Sequence, residues 1–97
     1  MLNSRQRAQL RAMANTMTPI FQIGKQGAQP EVAEQIALAL EARELIKVSV
    51  LETATEAPGD IADQIAEWTG SDVVQKIGRK FVLYKESRKH KRIELVR

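Results

Sequence analysis

The segment that most constrains the fold of this chain is Ile23-Gly24-Lys25-Gln26-Gly27. The short apolar run Ile20 to Ile23 predicts a strand before it, and Pro30 opens a segment that predicts a helix after it. A Gly-x-x-Gly turn in this position leaves backbone N–H groups accessible because neither glycine has a Cβ. Lys25 adds a positive charge, and the helix adds the positive end of its dipole. The pattern therefore predicts an anion site of phosphate size.

Hydrophobic periodicity predicts seven elements in the order α-β-α-β-α-β-β. The first three strands are separated by helices, and the last two flank Gly78-Arg79, a hairpin signal. We therefore expect residues 1–97 to form one compact α/β domain, a mixed four-stranded sheet packed with helices. The predicted ranges are 5–14, 30–43 and 60–69 for the helices and 20–23, 45–51, 73–77 and 81–84 for the strands.

Two side-chain expectations accompany this fold. Ser4 is the predicted N-cap of the first helix because its hydroxyl can accept a hydrogen bond from a free backbone N–H. Phe21, Trp68 and Phe81 are predicted to lie in the core, which leaves Tyr84 as the single candidate for stacking on a nucleobase.

The net charge of +3 conceals a strong segregation of charge. Residues 1–29 carry +4, residues 30–72 carry −8 and residues 73–97 carry +7. We expect one continuous basic surface built from both ends of the chain, which would attract phosphates, while an acidic back would disfavour the wrong orientation. The residues predicted to contact a nucleic-acid backbone are Gly24, Lys25, Gln26, Gly27, Arg7, Arg11, Arg79, Lys80, Lys85 and Arg88, with Lys89, Lys91 and Arg92 as an extension.

Signatures of other chemistries are missing from the sequence. There is no cysteine, and the one histidine, His90, lies between two lysines in a basic tail without the environment that tunes a catalytic base. Glu31 and Glu34 are better explained as a solvated helix face than as metal ligands. No apolar run resembles a signal peptide or a membrane span. We expect a soluble cytoplasmic protein with no enzymatic activity, catalytic residue, metal, cofactor, small-molecule substrate or membrane contact.

Several separated motifs resemble one known family. The glycine turn is similar to the loop of a KH domain, although here it follows a strand. The turn, the stretch Glu44 to Val48, and the run Val74 to Arg79 leading to Leu83-Tyr84-Lys85 resemble the CRM domain (chloroplast RNA splicing and ribosome maturation) in its stand-alone bacterial, YhbY-type form. The ending Ile93-Glu94-Leu95 fits that form as well, so that the resemblance covers nearly the whole chain.

The resemblance implies a fold like the C-terminal domain of translation initiation factor three with an added N-terminal helix. It implies RNA binding and association with precursors of the large ribosomal subunit in bacteria, and the Gly-x-x-Gly of the family corresponds to residues 24–27. We expect a monomer in which residues 85–97 form a basic tail that packs back on the domain. If about six phosphates are neutralised, log affinity should fall against log salt with a slope of roughly −4 to −5.

Two alternatives to ribosome assembly stay open from the sequence. One is a cofactor of intron splicing, since plant relatives carry the same domain in splicing proteins. The other is a protein–protein adaptor that uses the acidic middle segment. Salt-dependent affinity for structured RNA distinguishes RNA binding from the adaptor role.

Overall fold

The computed structural model describes residues 2–97 and contains the predicted elements in the predicted order. The helices are α1 (Ser4–Ala14), α2 (Pro30–Arg43) and α3 (Pro58–Thr69), and the strands are β1 (Phe21–Ile23), β2 (Leu45–Val50), β3 (Asp72–Ile77) and β4 (Lys80–Tyr84). Proline occupies the first position of α2 and α3, where its missing N–H costs nothing. The prediction of Ser4 as the cap of α1 is wrong, because Asn3 is the cap and forms a capping box with Gln6.

The four strands form one mixed sheet in the order β1-β2-β4-β3. β1 pairs with β2 in parallel, while β4 pairs antiparallel with both β2 and β3. The two ends of the sheet, where the strands begin and finish, therefore carry different loops and residues. We call the end with Ile23, Val50 and the Gly78-Arg79 turn the loop end, and the end with Leu45, Asp72 and Tyr84 the tail end. The glycine turn follows β1 directly and so lies at the loop end.

Helices cover the two faces of the sheet unequally. α2 and α3 pack on one face over the main core, in which Phe81, Ile36 and Ile65 are fully buried. On the other face, α1 and residue Ile93 of the tail cover a smaller core that contains Leu10 and Tyr84. This second core extends over the tail end of the sheet. The face that carries α1 is consequently left uncovered toward the loop end.

Two aromatic residues do not lie where the sequence predicts. Tyr84 is buried in the second core and cannot stack on a base from solvent. Trp68, predicted to be in the core, is 47% exposed. The buried stripe of α3 continues from Ile65 to Thr69 rather than to Trp68, although both residues lie about one turn further along, because the packing of α3 on the sheet buries the Thr69 side. Trp68 instead lies at the side of the stripe, in a shallow hollow next to α2.

Candidate nucleic-acid interface

The glycine turn, residues 24–27, has the geometry of a backbone anion site. The N–H of Gly27 donates to the carbonyl of Gly24 (2.9 Å), and Gly27 has φ +67°, a conformation that favours glycine. Lys25 and Gln26 are exposed at its tip. Within residues 2–97 their N–H groups donate no hydrogen bond, so two donors are free for a ligand. Together with Gln22, Ile23 and Val32, the turn lines an open hollow of about 390 Å³.

An internal carboxylate already contacts this turn. Oε1 of Glu56, from the segment between β2 and α3, accepts the N–H of Ala28 at 3.0 Å. A Cβ on Gly27 would lie only 2.0 Å from the same oxygen, so a larger residue here would displace the carboxylate, while the positive φ favours glycine. Glu56 therefore occupies part of the space that an external anion would enter.

Arg79 joins the hairpin turn to the end of β2. Its guanidinium donates to the carbonyl of Val50 (2.9 Å, from Nε) and to the carbonyl of Leu51 (2.6 Å). The N–H of Leu51 in turn donates to the carbonyl of Ile23, the residue before Gly24. Arg79 is thus held in place close to the glycine turn, with a fixed positive charge. Sequence reasoning selected Arg79, and the structure explains how it reaches this end of the sheet.

Beside Arg79, the uncovered part of the sheet forms a second concavity, of about 590 Å³. Ser49 of β2 pairs with Lys80 of β4, and Lys80 pairs in turn with Ile77 of β3. The side chains of all three lie on the face of the sheet that carries α1. A second row places Lys47 and Gln75 on either side of Val82 on the same face. We call this concavity the sheet groove, and it is lined by Asn15, Lys47, Ser49, Val50, Gln75, Ile77, Gly78, Arg79 and Lys80.

The cations of α1 lie on the same face as the sheet groove but have different surroundings. Arg7 donates to the carbonyl of Val73 on β3, which fixes its side chain against the sheet. Arg11 lies one turn further along α1 and is half-buried. α1 ends at Ala14, and the following residue, Asn15, lines the sheet groove, so Arg11 is the nearer of the two arginines to it along the helix.

Lys85 and Arg88 lie at the tail end, away from the glycine turn. The Lys85 ammonium donates to the carbonyl of Thr69 (2.8 Å) and so satisfies the C-terminus of α3. The N–H of Arg88 is held by Glu41, in the last turns of α2. The fold therefore distributes the predicted basic residues over both ends of the sheet, with Arg7 and Arg11 on α1. Contact of each of them with RNA stays a prediction.

Two carboxylates hold the basic tail, an arrangement that we call the tail clasp. Glu44, fully buried, accepts the N–H groups of Ser87 (2.7 Å), Arg92 (2.6 Å) and Ile93 (2.7 Å). Glu41 accepts the Ser87 hydroxyl (2.8 Å) and the N–H groups of Arg88 (3.2 Å) and Lys89 (3.0 Å). The backbone of residues 87–93 is therefore tied to the end of α2.

These hydrogen bonds shift the pKa values of both carboxyl groups. The Ser87 hydroxyl, with the N–H groups of Lys89 and Arg88, lowers the pKa of Glu41 to about 2. Burial raises the pKa of Glu44, but the three backbone donors outweigh it, and the pKa lies below its usual value. Both groups are thus ionised at neutral pH, where they bind the tail most strongly.

Sequence reasoning missed Lys47, Ser49, Gln75 and Glu56 as members of this region. The alternation of Lys47 and Ser49 with buried valines did indicate a polar sheet face, which is the signal that could have found them. Gln75 faces the groove because a β-bulge between Val73 and Gln75 shifts the register. Nothing in the sequence indicates the contact of Glu56 with the turn, since it joins residues 28 positions apart.

The described residues contain neither a cluster of metal ligands nor a membrane-spanning helix. Among residues 2–97, no three His, Cys, Asp or Glu side chains come together in a way that could hold a metal ion. Over the same residues, no helix has the length and apolar character needed to span a bilayer.

Comparison with known proteins places this geometry in a family. The CRS1 / YhbY (CRM) domain matches residues 2–85. "Probable RNA-binding protein YqeI" of Bacillus subtilis is 50% identical over 98% of this chain and 99% of its own length. An "RNA-binding protein" of Haemophilus influenzae is 34% identical, over 93% of this chain and 91% of its own length. The fold is similar to the solution structure of the hypothetical protein SAV1595 from Staphylococcus aureus, with a TM-score of 0.82 and 44% identity over 99% of this chain and all of that one. The chain belongs to the CRS1 / YhbY (CRM) domain family.

Proposed function

We propose that this protein binds RNA through the loop end of its sheet and assists assembly of the large ribosomal subunit. The observation that carries the proposal is the glycine turn, where the free N–H groups of Lys25 and Gln26 adjoin the Lys25 ammonium. Relatives whose names describe them as RNA-binding proteins match almost the whole chain. The ribosomal assignment rests on the family resemblance.

The turn suits a phosphate for three reasons. Backbone N–H groups are short, rigid donors, and within residues 2–97 those of Lys25 and Gln26 have no acceptor that a phosphate would need to displace. The first turn of α2 begins at Pro30, close behind the glycine turn, and contributes the positive end of its dipole. Arg79 supplies a fixed charge on the other side. A phosphate that approaches Gly27 would also replace Glu56 as the partner of the Ala28 N–H.

The contacts expected at this site are to the sugar–phosphate backbone and to the shape of the RNA. Stacking needs exposed aromatic rings, and Trp68 lies on the face of the sheet that α2 and α3 cover, opposite the face that carries α1. A preference for structured RNA over duplex DNA follows, since the 2′-hydroxyls and the A-form geometry distinguish the two. We further propose that the protein acts as a monomer, without enzymatic activity or a cofactor.

The test is the salt dependence of RNA affinity. The loop end brings together Lys25, Lys47, Arg79 and Lys80, so four phosphate contacts predict a slope of log affinity against log salt of roughly −3. This is shallower than the slope expected from six contacts, because the fold places Lys85 and Arg88 elsewhere. A flat response, or equal affinity for a DNA duplex and a ribosomal RNA fragment at matched salt, contradicts the proposal.

The ribosomal part of the proposal needs a cellular measurement. In a sucrose gradient of a bacterial lysate, the protein should sediment with precursors of the large subunit. Sedimentation only with free protein, or only with translating ribosomes, contradicts the assembly role. Crosslinking in cells followed by sequencing of the bound RNA would then identify the site on the RNA.

One observation favours protein binding as a second function. The hollow beside the exposed Trp68 is lined by Pro30, Ala33, Glu34 and Ala37, on the face formed by α2 and α3. An exposed indole beside the carboxylate of Glu34 suits a basic segment that also carries an apolar residue. Replacement of Trp68 by alanine should abolish such an interaction without lowering RNA affinity.

A further inference from the structure

The sheet groove is a binding site that the glycine turn does not account for. α1 covers the apolar tail end of its face of the sheet and ends at Ala14, so the loop end of that face is open. The open floor is formed by the two cross-strand rows of Ser49, Lys80 and Ile77 and of Lys47 and Gln75. A sheet face that is neither packed nor uniformly charged has side chains available for a ligand.

The chemistry of the lining is complementary to a nucleotide. Three of the nine lining residues are cations, and none is acidic, in a chain with 12 Asp and Glu residues. α1, which borders the groove, also contains no acid. The side chains of Asn15, Ser49 and Gln75 supply amide and hydroxyl groups that can both donate and accept hydrogen bonds. Ile77, 58% exposed, adds an apolar surface.

We propose that the sheet groove binds one unpaired nucleotide of the RNA that contacts the glycine turn. Its phosphate lies on Lys47 and Lys80, and its base edge meets the polar groups of Ser49 and Gln75. This inference rests on the proposed function, because the groove adjoins the turn through Arg79 and Val50. The same strand can therefore cross both sites.

An unpaired nucleotide fits better than a duplex. The groove is concave, and its hydrogen-bonding groups lie on the floor, where they meet a base only if that base is turned out of the stack. In A-form RNA the base edges of the major groove are out of reach of side chains. The glycine turn can bind phosphates of both paired and unpaired RNA. A preference of the protein for loops and bulges over duplex RNA would therefore come from the sheet groove.

The first experiment compares two RNA probes by NMR titration of the whole chain. One is a hairpin from large-subunit ribosomal RNA with an unpaired loop, and the other is its stem closed into a blunt duplex. We expect the amides of residues 24–28 to shift with both probes, and those of Lys47, Ser49, Gln75 and Lys80 to shift with the hairpin. Groove amides that respond equally to the two probes, or to neither, overturn the proposal.

The second experiment removes the groove cations. The variant Lys47→Gln/Lys80→Gln should bind the hairpin roughly 10- to 100-fold more weakly at low salt, since each lysine loses a charge-assisted contact. Lys76→Gln is the matched control, because Lys76 lies on β3 but faces α3, where it pairs with Asp63 at 2.9 Å. If the double variant binds the hairpin no more weakly than this control does, the proposal that the sheet groove binds a nucleotide is wrong.

The two proposals fail in different ways in this experiment. If the unaltered chain binds RNA and Lys25→Gln weakens it while the groove variant does not, only the groove proposal is wrong. If the unaltered chain shows no salt-dependent binding of either probe, the proposed function itself is wrong. Thermal unfolding of every variant establishes that each is folded, and the exposed position of Lys80 and half-buried position of Lys47 make small changes the expected result.

Discussion

At both ends of the sheet a carboxylate accepts backbone N–H groups, but the two ends differ in how completely their donors are satisfied. At the tail end, Glu41 and Glu44 together accept five N–H groups and one hydroxyl. At the loop end, Glu56 accepts only the N–H of Ala28, and the N–H groups of Lys25 and Gln26 have no acceptor in the part of the chain that the structure describes. Where the protein's own carboxylates satisfy the backbone N–H donors, as at the tail end, the arrangement is structural. Where N–H donors are unsatisfied, as at the loop end, an external phosphate can replace the carboxylate of Glu56.

The unusual conformation of Glu44 supports the structural interpretation of the tail end. Glu44 terminates α2 with φ +67°, where glycine is the common residue. With ψ −36° the residue lies outside the left-handed helical region, and a non-glycine residue in so sparsely populated a conformation costs about 1–3 kcal/mol. The three N–H groups that its carboxylate accepts offset this strain, which explains a glutamate in a glycine position.

The largest expected effect is therefore on stability, from Glu44→Ala. The change leaves three backbone N–H groups without their acceptor and keeps the strained φ, so we expect a loss of about 3 kcal/mol in the free energy of unfolding. Glu44→Gly should lose at least about 1 kcal/mol less, because glycine relieves the strain. Urea unfolding measures both, with Glu34→Ala, an exposed glutamate of α2, as the control. If Glu34→Ala and Glu44→Ala lower the free energy of unfolding equally, the tail clasp does not stabilise the fold.

The tail clasp should also loosen in acid. Because the pKa of Glu41 is lowered from 4.5 to about 2 and that of Glu44 is also lowered, their ionised forms stabilise the folded state. This stabilisation is complete above the unfolded pKa and is lost as pH falls from about 4.5 toward 2. Amide chemical shifts of Arg88 and Lys89, whose N–H groups Glu41 accepts, should change within that window when they are followed against pH. The shifts at the glycine turn serve as the internal comparison, and a tail midpoint near the ordinary glutamate pKa would contradict the argument.

Local sequence signals predicted the fold well, and they failed where distant contacts decide the outcome. The bounds of α2, 30–43, follow from Pro30 and the apolar spacing, and the structure has the same bounds. The prediction that Trp68 lies in the core was wrong, because the packing of α3 on the sheet decides which side of the helix is buried, and the periodicity of the α3 sequence does not. Asn3 rather than Ser4 caps α1 because Gln6 completes the reciprocal pair with Asn3.

The same limit applies to the candidate site. The glycine turn is a contiguous motif, and the sequence places it between β1 and α2 as the structure does. The positions of the cations depend on which strands are neighbours in the sheet. In the order β1-β2-β4-β3, Arg79 just before β4 lies near the glycine turn, and Lys85 just after β4 lies at the tail end. Tail residues such as Arg88 are positioned by Glu41, 47 positions away, which no local pattern reveals.

Charge reversal at each end tests which end binds RNA. Lys25→Glu should weaken RNA binding at least about tenfold at low salt, because it removes a cation and places a carboxylate beside the free N–H groups. Lys89→Glu makes the same change of charge at the tail end and should have an effect of about twofold or less. Filter binding or fluorescence anisotropy with one ribosomal RNA fragment measures both. If the two variants lose affinity equally, overall charge governs binding and the difference between the ends is irrelevant.

The smallest expected effect has the opposite sign and comes from Glu56→Gln. The amide keeps the size of the side chain and an oxygen for the N–H of Ala28, but it no longer presents a negative charge where the phosphate should enter. RNA affinity should therefore rise, by roughly threefold at low salt, and the gain should disappear as salt screens the repulsion. Glu52→Gln, in the same segment between β2 and α3, removes an exposed carboxylate that does not contact the turn. Equal gains in the two variants would indicate a general charge effect. A lower affinity in Glu56→Gln would mean that the carboxylate holds the turn in its binding geometry rather than competing with the phosphate.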